Sequence, residues 1–273
     1  MPVDVAAAVL SNARLSDDYN VLALEAPAVA RAAAPGQFVM VKTHEGTDPL
    51  LRRPFSIFQI IRDGSGQANG ITILNRRVGR GTALLFAAGP GVRLACLGPL
   101  GRPFETIDPP TEAWLVAGGV GLAPFATVCE SLRGRGTRTT LFYGARTRGE
   151  LFFVGEFEAL ANRVVLATED GSHGVHGRVT LPLEEALREA PRDRQIRIYA
   201  CGPTPMMRTV AALALKYGRP CSVSLEQVMG CGLGGCYSCV VSVRGATGSH
   251  YVRSCIEGPV FDATELDWEQ LRT

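Results

Sequence analysis

The chain has 273 residues and a mass of 29.1 kDa, which indicates two domains with a small addition. Hydrophobic residues make up 46% of it and charged residues 20%, so a full core can form and general disorder is excluded. The 28 basic and 26 acidic residues leave a net charge of +2, which excludes a broad nucleic-acid-binding surface. No apolar run approaches the ~20 residues that cross a membrane, and residues 1–10 lack the basic start of a signal peptide. We therefore expect a cytoplasmic protein that binds neither nucleic acid nor membrane.

The first hundred residues contain short strand patterns separated by turn residues. Residues 21–24, 37–41 and 71–74 have the length and composition of strands. Pairs of glycine and proline, such as Gly98-Pro99, are typical of turns. Many short strands at this spacing predict an antiparallel β-barrel over residues 1–108.

Strand and helix patterns alternate after Pro109-Pro110. This alternation predicts a doubly wound parallel α/β sheet over residues 109–220. The glycine- and cysteine-rich residues 221–273 form a third, smaller module, so the fold class is α+β with several domains. The predicted strands of the parallel sheet lie at residues 113–117, 139–143, 164–167 and 196–200.

Four of the eight cysteines lie close together near the C-terminus, at Cys231, Cys236, Cys239 and Cys255. Their C-x4-C-x2-C spacing with one later cysteine is that of a plant-type [2Fe–2S] cluster. The intervening glycines allow the backbone to approach a cluster closely. Structural zinc sites usually have two C-x2–4-C pairs. A zinc site and free thiols nevertheless remain alternatives from the residues alone.

Two glycine-bearing turns follow predicted strands of the parallel sheet. Ligands of such sheets bind at the carboxyl ends of the strands, so both turns could line one crevice for a dinucleotide. The first turn differs from the G-x-G-x-x-G fingerprint, and a purely structural turn is the alternative. The turns comprise Gly118, Gly119 and Gly121, and Cys201, Gly202 and Pro203.

A third pattern lies in the barrel region. The segment Arg53-Pro54-Phe55-Ser56 is followed by Gly81-Thr82, which opens a predicted helix. An arginine and a helix N-terminus both suit a phosphate, and a strand edge with a hydroxyl suits a flavin ring. Taken singly, a surface arginine on a barrel strand is the alternative interpretation.

These motifs together resemble a known family. Residues 53–56 resemble the flavin-binding R-x-[YF]-S motif of the ferredoxin–NADP reductase superfamily, and the two glycine turns resemble its pyridine-nucleotide motifs. More specifically, residues 225–239 with Cys255 and residues 258–261 resemble the electron-transfer subunits of class-B dihydroorotate dehydrogenase. Residues 169–172 and 177–180 do so as well, and the resemblance covers essentially the whole chain.

The resemblance implies an FAD-binding barrel, an NAD-binding domain and a [2Fe–2S] module. It implies cluster ligation by the four clustered cysteines and NAD binding by the two glycine turns. Asn75 stands where the family commonly has tyrosine. The FAD-binding residues implied by similarity are Arg53, Pro54, Phe55, Ser56, Leu74, Asn75, Arg76, Gly81 and Thr82.

The resemblance also implies a function. Electrons would pass from an FMN-bearing dihydroorotate dehydrogenase catalytic subunit through [2Fe–2S] and FAD to NAD+ in pyrimidine synthesis, in a heterotetramer with two copies of each subunit. Alternatives are a related subunit that serves a hydrogenase, sulfide dehydrogenase or transhydrogenase, and a redox-sensing iron–sulfur protein. We expect no acid–base catalyst and place all four histidines at the surface or in loops. Arg146 could reach the 2′-phosphate of NADP, although the resemblance favours NAD.

Overall fold

The computed structural model describes residues 1–245 and 248–271. Seven strands build its first sheet: β1 (Val3–Arg14), β2 (Tyr19–Glu25), β3 (Phe38–Val41), β4 (Arg53–Ser56), β5 (Gln59–Arg62), β6 (Ala68–Arg76) and β7 (Arg93–Leu100). Their order is β4-β3-β7-β1-β2-β6-β5, with every neighbouring pair antiparallel. Helices α1 (Pro27–Ala32) and α2 (Arg80–Ala87) accompany the sheet. The predicted antiparallel barrel domain is confirmed, in the form of a half-barrel.

Three strands of the half-barrel, β1, β5 and β7, escape prediction from sequence. Alanines at residues 6–8 have a weak strand preference, and they become strand because β2 and β7 hydrogen-bond to β1 on either side. The interpretation of Gly98-Pro99 as a turn is wrong, since both residues lie inside β7. A Cβ atom at Gly98 would lie 2.7 Å from Val39 Cγ1, so glycine here allows β3 to approach β7.

The second sheet contains β8 (Glu112–Gly118), β9 (Thr139–Ala145), β10 (Arg163–Thr168), β11 (Val175–His176), β12 (Ile196–Cys201), β13 (Cys221–Ser224) and β16 (Val260–Asp262). Its order is β11-β10-β9-β8-β12-β13-β16, parallel except for the last pair. The connecting helices are α3 (Phe125–Gly134), α4 (Val154–Leu160), α5 (Thr180–Glu189) and α6 (Thr204–Lys216). The strand order reverses at β8, so the predicted doubly wound sheet is confirmed.

The cysteine-rich part of the chain is inserted between two strands of the second sheet, because β13 pairs antiparallel with β16. Between them lie a loop over residues 225–239, the hairpin of β14 (Val240–Gly245) and β15 (Gly248–Arg253), and the short helix α7 (Ser254–Glu257). The small C-terminal region is thus attached to the second sheet. The division of the chain after residues 108 and 220 stays a prediction.

Aromatic contacts join the half-barrel to the second sheet. Tyr19 of β2 packs against Phe152, with ring centroids 4.9 Å apart. Phe104, which follows β7, packs against Phe125 and Tyr199 at 5.8 and 5.4 Å. These contacts set the half-barrel against the second sheet. No helix within the described ranges is long and apolar enough to cross a membrane.

Candidate functional site

A cavity of about 580 Å³ lies at the carboxyl ends of the parallel strands, where the half-barrel meets the second sheet. Both predicted nucleotide turns reach it, the first through Gly118 and Gly119 and the second through Gly202 and Pro203. The half-barrel contributes Tyr19 and Arg76. The remaining lining residues are Val120, Gly144, Ala145, Arg146, Glu150, Glu169, Gly177, Arg178, Val179, Thr180, Pro205, Met206, Thr209 and Glu226.

The two glycine turns are in direct backbone contact. A Cβ atom at Gly121 would lie 2.2 Å from the Cys201 carbonyl oxygen, and one at Gly202 would lie 3.1 Å from Gly118 Cα. Gly119 has φ +55° and nothing within 4 Å of its Cβ position, so its backbone is open on that side. The Cys201 side chain is buried, and burial raises its pKa well above the usual value. Cys201 therefore contributes its backbone to the turn.

The flavin-like motif lies on β4 at the edge of the first sheet, and its arginine reaches the start of α2. A Cβ atom at Gly81 would lie 3.4 Å from Arg53 Nε and 3.5 Å from Thr43 Cγ2. The Thr82 hydroxyl accepts hydrogen bonds from the Val78 and Gly79 N–H groups, while the first N–H groups of a helix have no partner within it. Thr43 Oγ1 is buried and has no hydrogen-bond partner among the residues that the structure describes. A guanidinium, helix N–H groups and an unpaired hydroxyl together suit an anion.

The other residues of the half-barrel that the resemblance assigns to FAD binding lie in two places, some in the barrel sheet and one at the cavity. Pro54, Phe55 and Ser56 are half-buried on β4, and Leu74 is buried on β6. Arg76 at the end of β6 is exposed, and its guanidinium lies 5.6 Å from the centroid of the Tyr19 ring. Arg76 thus lies where the half-barrel borders the nucleotide turns.

Asn75 is completely buried, so its side chain does not reach the cavity. Its Nδ2 donates to Asn20 Oδ1 at 2.7 Å and to the Thr82 carbonyl at 3.0 Å. Asn20 in turn donates to Asn12, whose amide donates to three carbonyls near the C-terminus of α2. This asparagine chain holds α2 against the sheet, and so keeps the start of α2, at Gly81, beside Arg53.

Sequence reasoning missed several cavity residues, and Tyr19, Glu150 and Glu226 are those that bear on the chemistry of the site. Tyr19 enters from β2, and Glu150 forms an ion pair with Arg146, with Nε 3.1 Å from Oε2. This pairing lowers the pKa of Glu150 and occupies the guanidinium that could otherwise reach the 2′-phosphate of NADP. Glu226 lies two residues beyond β13. Desolvation by the surrounding protein raises the pKa of its carboxyl group, and the positive charge of Arg76 partly offsets that rise. Its signal in the sequence is its position after a parallel strand, at the edge where ligands bind.

The four clustered cysteines lie together beside the half-barrel. Cys239 and Cys255 are buried, Cys231 is half-buried and Cys236 is exposed. The thiols neighbour one another in two pairs, since Cys231 contributes to the lowered pKa of Cys236 and Cys239 to the raised pKa of Cys255. No three His, Cys, Asp or Glu side chains among the described residues converge on a single metal ion. Two thiol pairs are the donor set that a two-iron cluster with four thiolates uses.

The loop around these sulfurs has the close backbone that a cluster needs. A Cβ atom at Gly230 would lie 3.1 Å from Cys236 Sγ, and Gly232 and Gly234 have φ +73° and +77°. The Leu233 N–H points to Cys231 Sγ at 3.3 Å. The Ser238 hydroxyl, 3.2 Å from Cys236 Sγ, lowers the pKa of Cys236 to about 6, which favours the metal-binding thiolate.

None of the four histidines lines the cavity or lies in the cysteine loop. His173, His176 and His250 are exposed and His44 is half-buried in a loop. Cys129 is buried in α3, away from the other cysteines, and burial raises its pKa to about 12. These placements agree with the expectation that the histidines lie at the surface or in loops.

Comparison with known proteins identifies the parts of this arrangement. Residues 226–267 match the model of the iron–sulfur cluster binding domain of dihydroorotate dehydrogenase B, and residues 115–212 match the oxidoreductase NAD-binding domain. Among solved structures, the chain is similar to one of an NADH-dependent reduced ferredoxin–NADP oxidoreductase, with 30% identity, a TM-score of 0.85, and coverage of 98% of this chain and 91% of that one. A ferredoxin NADP+ reductase from Neisseria gonorrhoeae shares the fold, with 20% identity, a TM-score of 0.66, and coverage of 79% and 92%.

Curated relatives match over nearly their whole length. The electron transfer subunit of dihydroorotate dehydrogenase B (NAD(+)) from Desulforamulus reducens is 37% identical over 96% of this chain and 98% of the relative. The corresponding subunit from Geobacillus kaustophilus is 40% identical over 94% and 96%. With a half-barrel, a nucleotide-type sheet and a paired-cysteine loop in the order that the resemblance predicts, this oxidoreductase chain belongs to the family of electron-transfer subunits of NAD-dependent dihydroorotate dehydrogenase B.

Proposed function

We propose that the chain passes electrons from an FMN-bearing dihydroorotate dehydrogenase catalytic subunit to NAD+ in pyrimidine synthesis, using a [2Fe–2S] cluster and FAD that it binds. One observation carries this proposal: the three candidate sites form a continuous row. The cysteine loop packs on Met40 of β3, and β3 pairs with the flavin-motif strand β4. The half-barrel then borders the nucleotide cavity at Arg76. Such a row suits electron transfer because each carrier must lie near the next.

The proposed FAD site combines the half-barrel motif residues with the start of α2. Arg53 and the first N–H groups of α2 would hold the pyrophosphate, supported by the close approach of Gly81 to the guanidinium. The Asn75 side chain would contribute indirectly, because its hydrogen bond to the Thr82 carbonyl oxygen holds the first turn of α2 in place. When bound, FAD exchanges a hydride with a nicotinamide and single electrons with an iron–sulfur cluster. Pro54, Phe55, Ser56, Leu74 and Arg76 complete the proposed site.

The proposed NAD site is the cavity at the parallel strand ends. Gly118, Gly119 and Gly121 of the first turn and residues 201–203 of the second would let the dinucleotide backbone approach. The ion pair of Arg146 with Glu150 leaves that arginine less available to a 2′-phosphate, which supports NAD as the nucleotide. Glu169 adds a second carboxylate to the same wall.

The proposed cluster ligands are Cys231, Cys236, Cys239 and Cys255, two for each iron. The two thiol pairs and the glycine cradle support this assignment. Burial raises the pKa of Cys255 to about 12, so its thiol would lose its proton only on binding metal.

The partner would be the FMN-bearing catalytic subunit, in an assembly of two copies of each chain. Leu233 and Tyr237 of the cysteine loop are 55% and 62% exposed, which supports their role as contacts with that partner. We place the complex in the cytoplasm.

Reconstitution tests this function. Anaerobically purified protein should contain FAD, and about two iron and two sulfide per chain, as a [2Fe–2S] centre requires. NADH should bleach both chromophores. Dihydroorotate-dependent NAD+ reduction should require the catalytic subunit, and Leu233→Glu should reduce that activity while NADH still reduces the flavin. A fully loaded pair without this activity would contradict the assignment of the partner.

The similarity to the NADH-dependent reduced ferredoxin–NADP oxidoreductase favours one second candidate function. In that case the chain would serve a transhydrogenase partner with the same three sites. NADPH formation from NADH and reduced ferredoxin by a co-purified partner, without dihydroorotate oxidation, would favour this candidate.

A further inference from the structure

Met40 is the point at which the half-barrel touches the cysteine loop. A Cβ atom at Gly232 would lie 2.6 Å from Met40 Cγ and 3.3 Å from its Sδ. The backbone of the loop therefore lies directly on the methionine side chain. Gly232 also has φ +73°, so both its conformation and its surroundings require glycine. Any side chain at residue 232 would push the loop away from β3.

The backbone of Met40 belongs to the neighbour of the flavin-motif strand. Met40 is paired with Pro54 of β4 on one side and Leu97 of β7 on the other. Its side chain is completely buried. One residue thus connects the strand next to the proposed flavin site with the loop of the proposed cluster site, two segments almost 200 positions apart in the sequence.

The surroundings of Met40 are apolar and include two of the four cysteines. Phe38, Leu100 and Met229 pack with Met40 against Cys239 and Cys255 in one buried cluster, and each of these side chains is at most 6% exposed. We refer to the four apolar residues of this cluster as the methionine plug. The plug lies between the half-barrel and the buried pair of sulfurs. A cavity of about 360 Å³, lined in part by Leu100, Gly232 and Cys255, adjoins it, and Met40 is not among the residues that line that cavity.

We propose that Met40 is a positioning residue for electron transfer: it fixes the distance from the flavin-motif strand to the cysteine loop and keeps the inner side of the cluster dry. This inference rests on the proposed function. The apolar shell of a metal site controls its solvent access and thereby its reduction potential. A reduced cluster carries one more negative charge than an oxidised one, and water stabilises that charge. Admitting water or a polar group at Met40 should therefore raise the cluster potential.

The test uses the intact holoprotein with two changes at Met40. Met40→Ala opens a space in the plug, and Met40→Gln keeps the length of the side chain while adding a polar group. Leu24→Ala is the matched control, because Leu24 is equally buried in the half-barrel but lies on β2, outside the plug. The readouts are the cluster potential, from EPR-monitored redox titration, and the rates at which flavin and cluster absorbance bleach after rapid mixing with NADH.

Both Met40 variants should show a positive shift of the cluster potential, and Met40→Ala should also slow cluster bleaching, while flavin bleaching keeps its wild-type rate. Leu24→Ala should leave the potential unchanged. The inference is overturned if Met40→Gln has the wild-type potential with full cluster content, or if Leu24→Ala shifts the potential equally. Wild-type protein without FAD or without iron and sulfide would contradict the proposed function itself, an outcome that is distinct from an unchanged potential in the Met40 variants.

Discussion

Arg53→Ala offers the sharpest test of the proposed FAD site, because the structure shows how this arginine is held and offers a matched control. Arg53 Nη1 donates to the Leu51 and Arg52 carbonyls at 2.9 and 3.1 Å. These bonds orient the guanidinium, while its Nε faces Gly81 at the start of α2. The arginine is therefore preorganised for an anion at the helix N-terminus, and its removal costs little reordering elsewhere.

The expected loss follows from one charge-assisted hydrogen bond to phosphate. Such bonds contribute about 1.5–3 kcal/mol, so the FAD dissociation constant should rise roughly 10- to 100-fold. The neighbouring Arg52 is the control, because both of its terminal nitrogens bind the Asp4 carboxylate at 2.9 and 2.7 Å. Arg52→Ala should leave FAD binding nearly unchanged.

Titration of apoprotein with FAD, followed by flavin fluorescence or calorimetry, measures both constants. Arg53→Lys should give an intermediate value, since lysine keeps the charge but loses the planar fork. An Arg53→Ala protein that binds FAD within twofold of wild type would refute the reasoning. An equal loss in Arg52→Ala would mean that net charge, and not the position of Arg53, determines FAD affinity.

Three further predictions concern the other sites. Gly121→Ala places a methyl group 2.2 Å from the Cys201 carbonyl oxygen, so the glycine turns should separate and NADH binding should weaken roughly tenfold by calorimetry, with FAD retained. Cys239→Ser should lose iron and sulfide in metal analysis, whereas Cys129→Ser, in the core of α3, should keep both. Desolvation by the surrounding protein raises the pKa of Glu226 above its usual value of 4.5, although the side chain is exposed in the cavity, so the folded protein holds this proton more tightly than the unfolded chain. The free energy of unfolding of the wild-type protein should therefore fall slightly relative to that of Glu226→Gln as the pH rises from 4.5 through the raised pKa.

The sequence predicts those parts of the site whose chemistry is local. The spacing of Cys231, Cys236 and Cys239 indicates a cluster because its ligands must lie within one loop. The glycine turns are visible because each directly follows a buried strand, and the parallel-sheet rule brings them to one edge. The structure joins them as this rule requires, with Gly121 against the Cys201 carbonyl.

The parts that escape prediction depend on neighbours distant in sequence. β1 has weak strand residues and forms because two other strands pair with it. From its position between Leu74 and Arg76, Asn75 is predicted to contact the flavin. In the structure its side chain points into the interior of the half-barrel, where it donates a buried hydrogen bond to Asn20. Only the topology shows that Glu226 enters the cavity that Arg76 also lines.

The position of β3 explains how one chain could hold the three proposed carriers close together. β3 lies between β4 and β7 in the half-barrel, so one of its neighbours carries the flavin-like motif while its own Met40 side chain supports the cysteine loop. That loop is anchored at its other end by β13 and β16, which belong to the nucleotide-type sheet. The loop is therefore tied to both sheets and cannot shift against one without straining its contact with the other. The packing of the two sheets thus determines the proposed distances between nucleotide, flavin and cluster. A substitution that shifts the loop at one of these contacts should therefore also change the distances at the others.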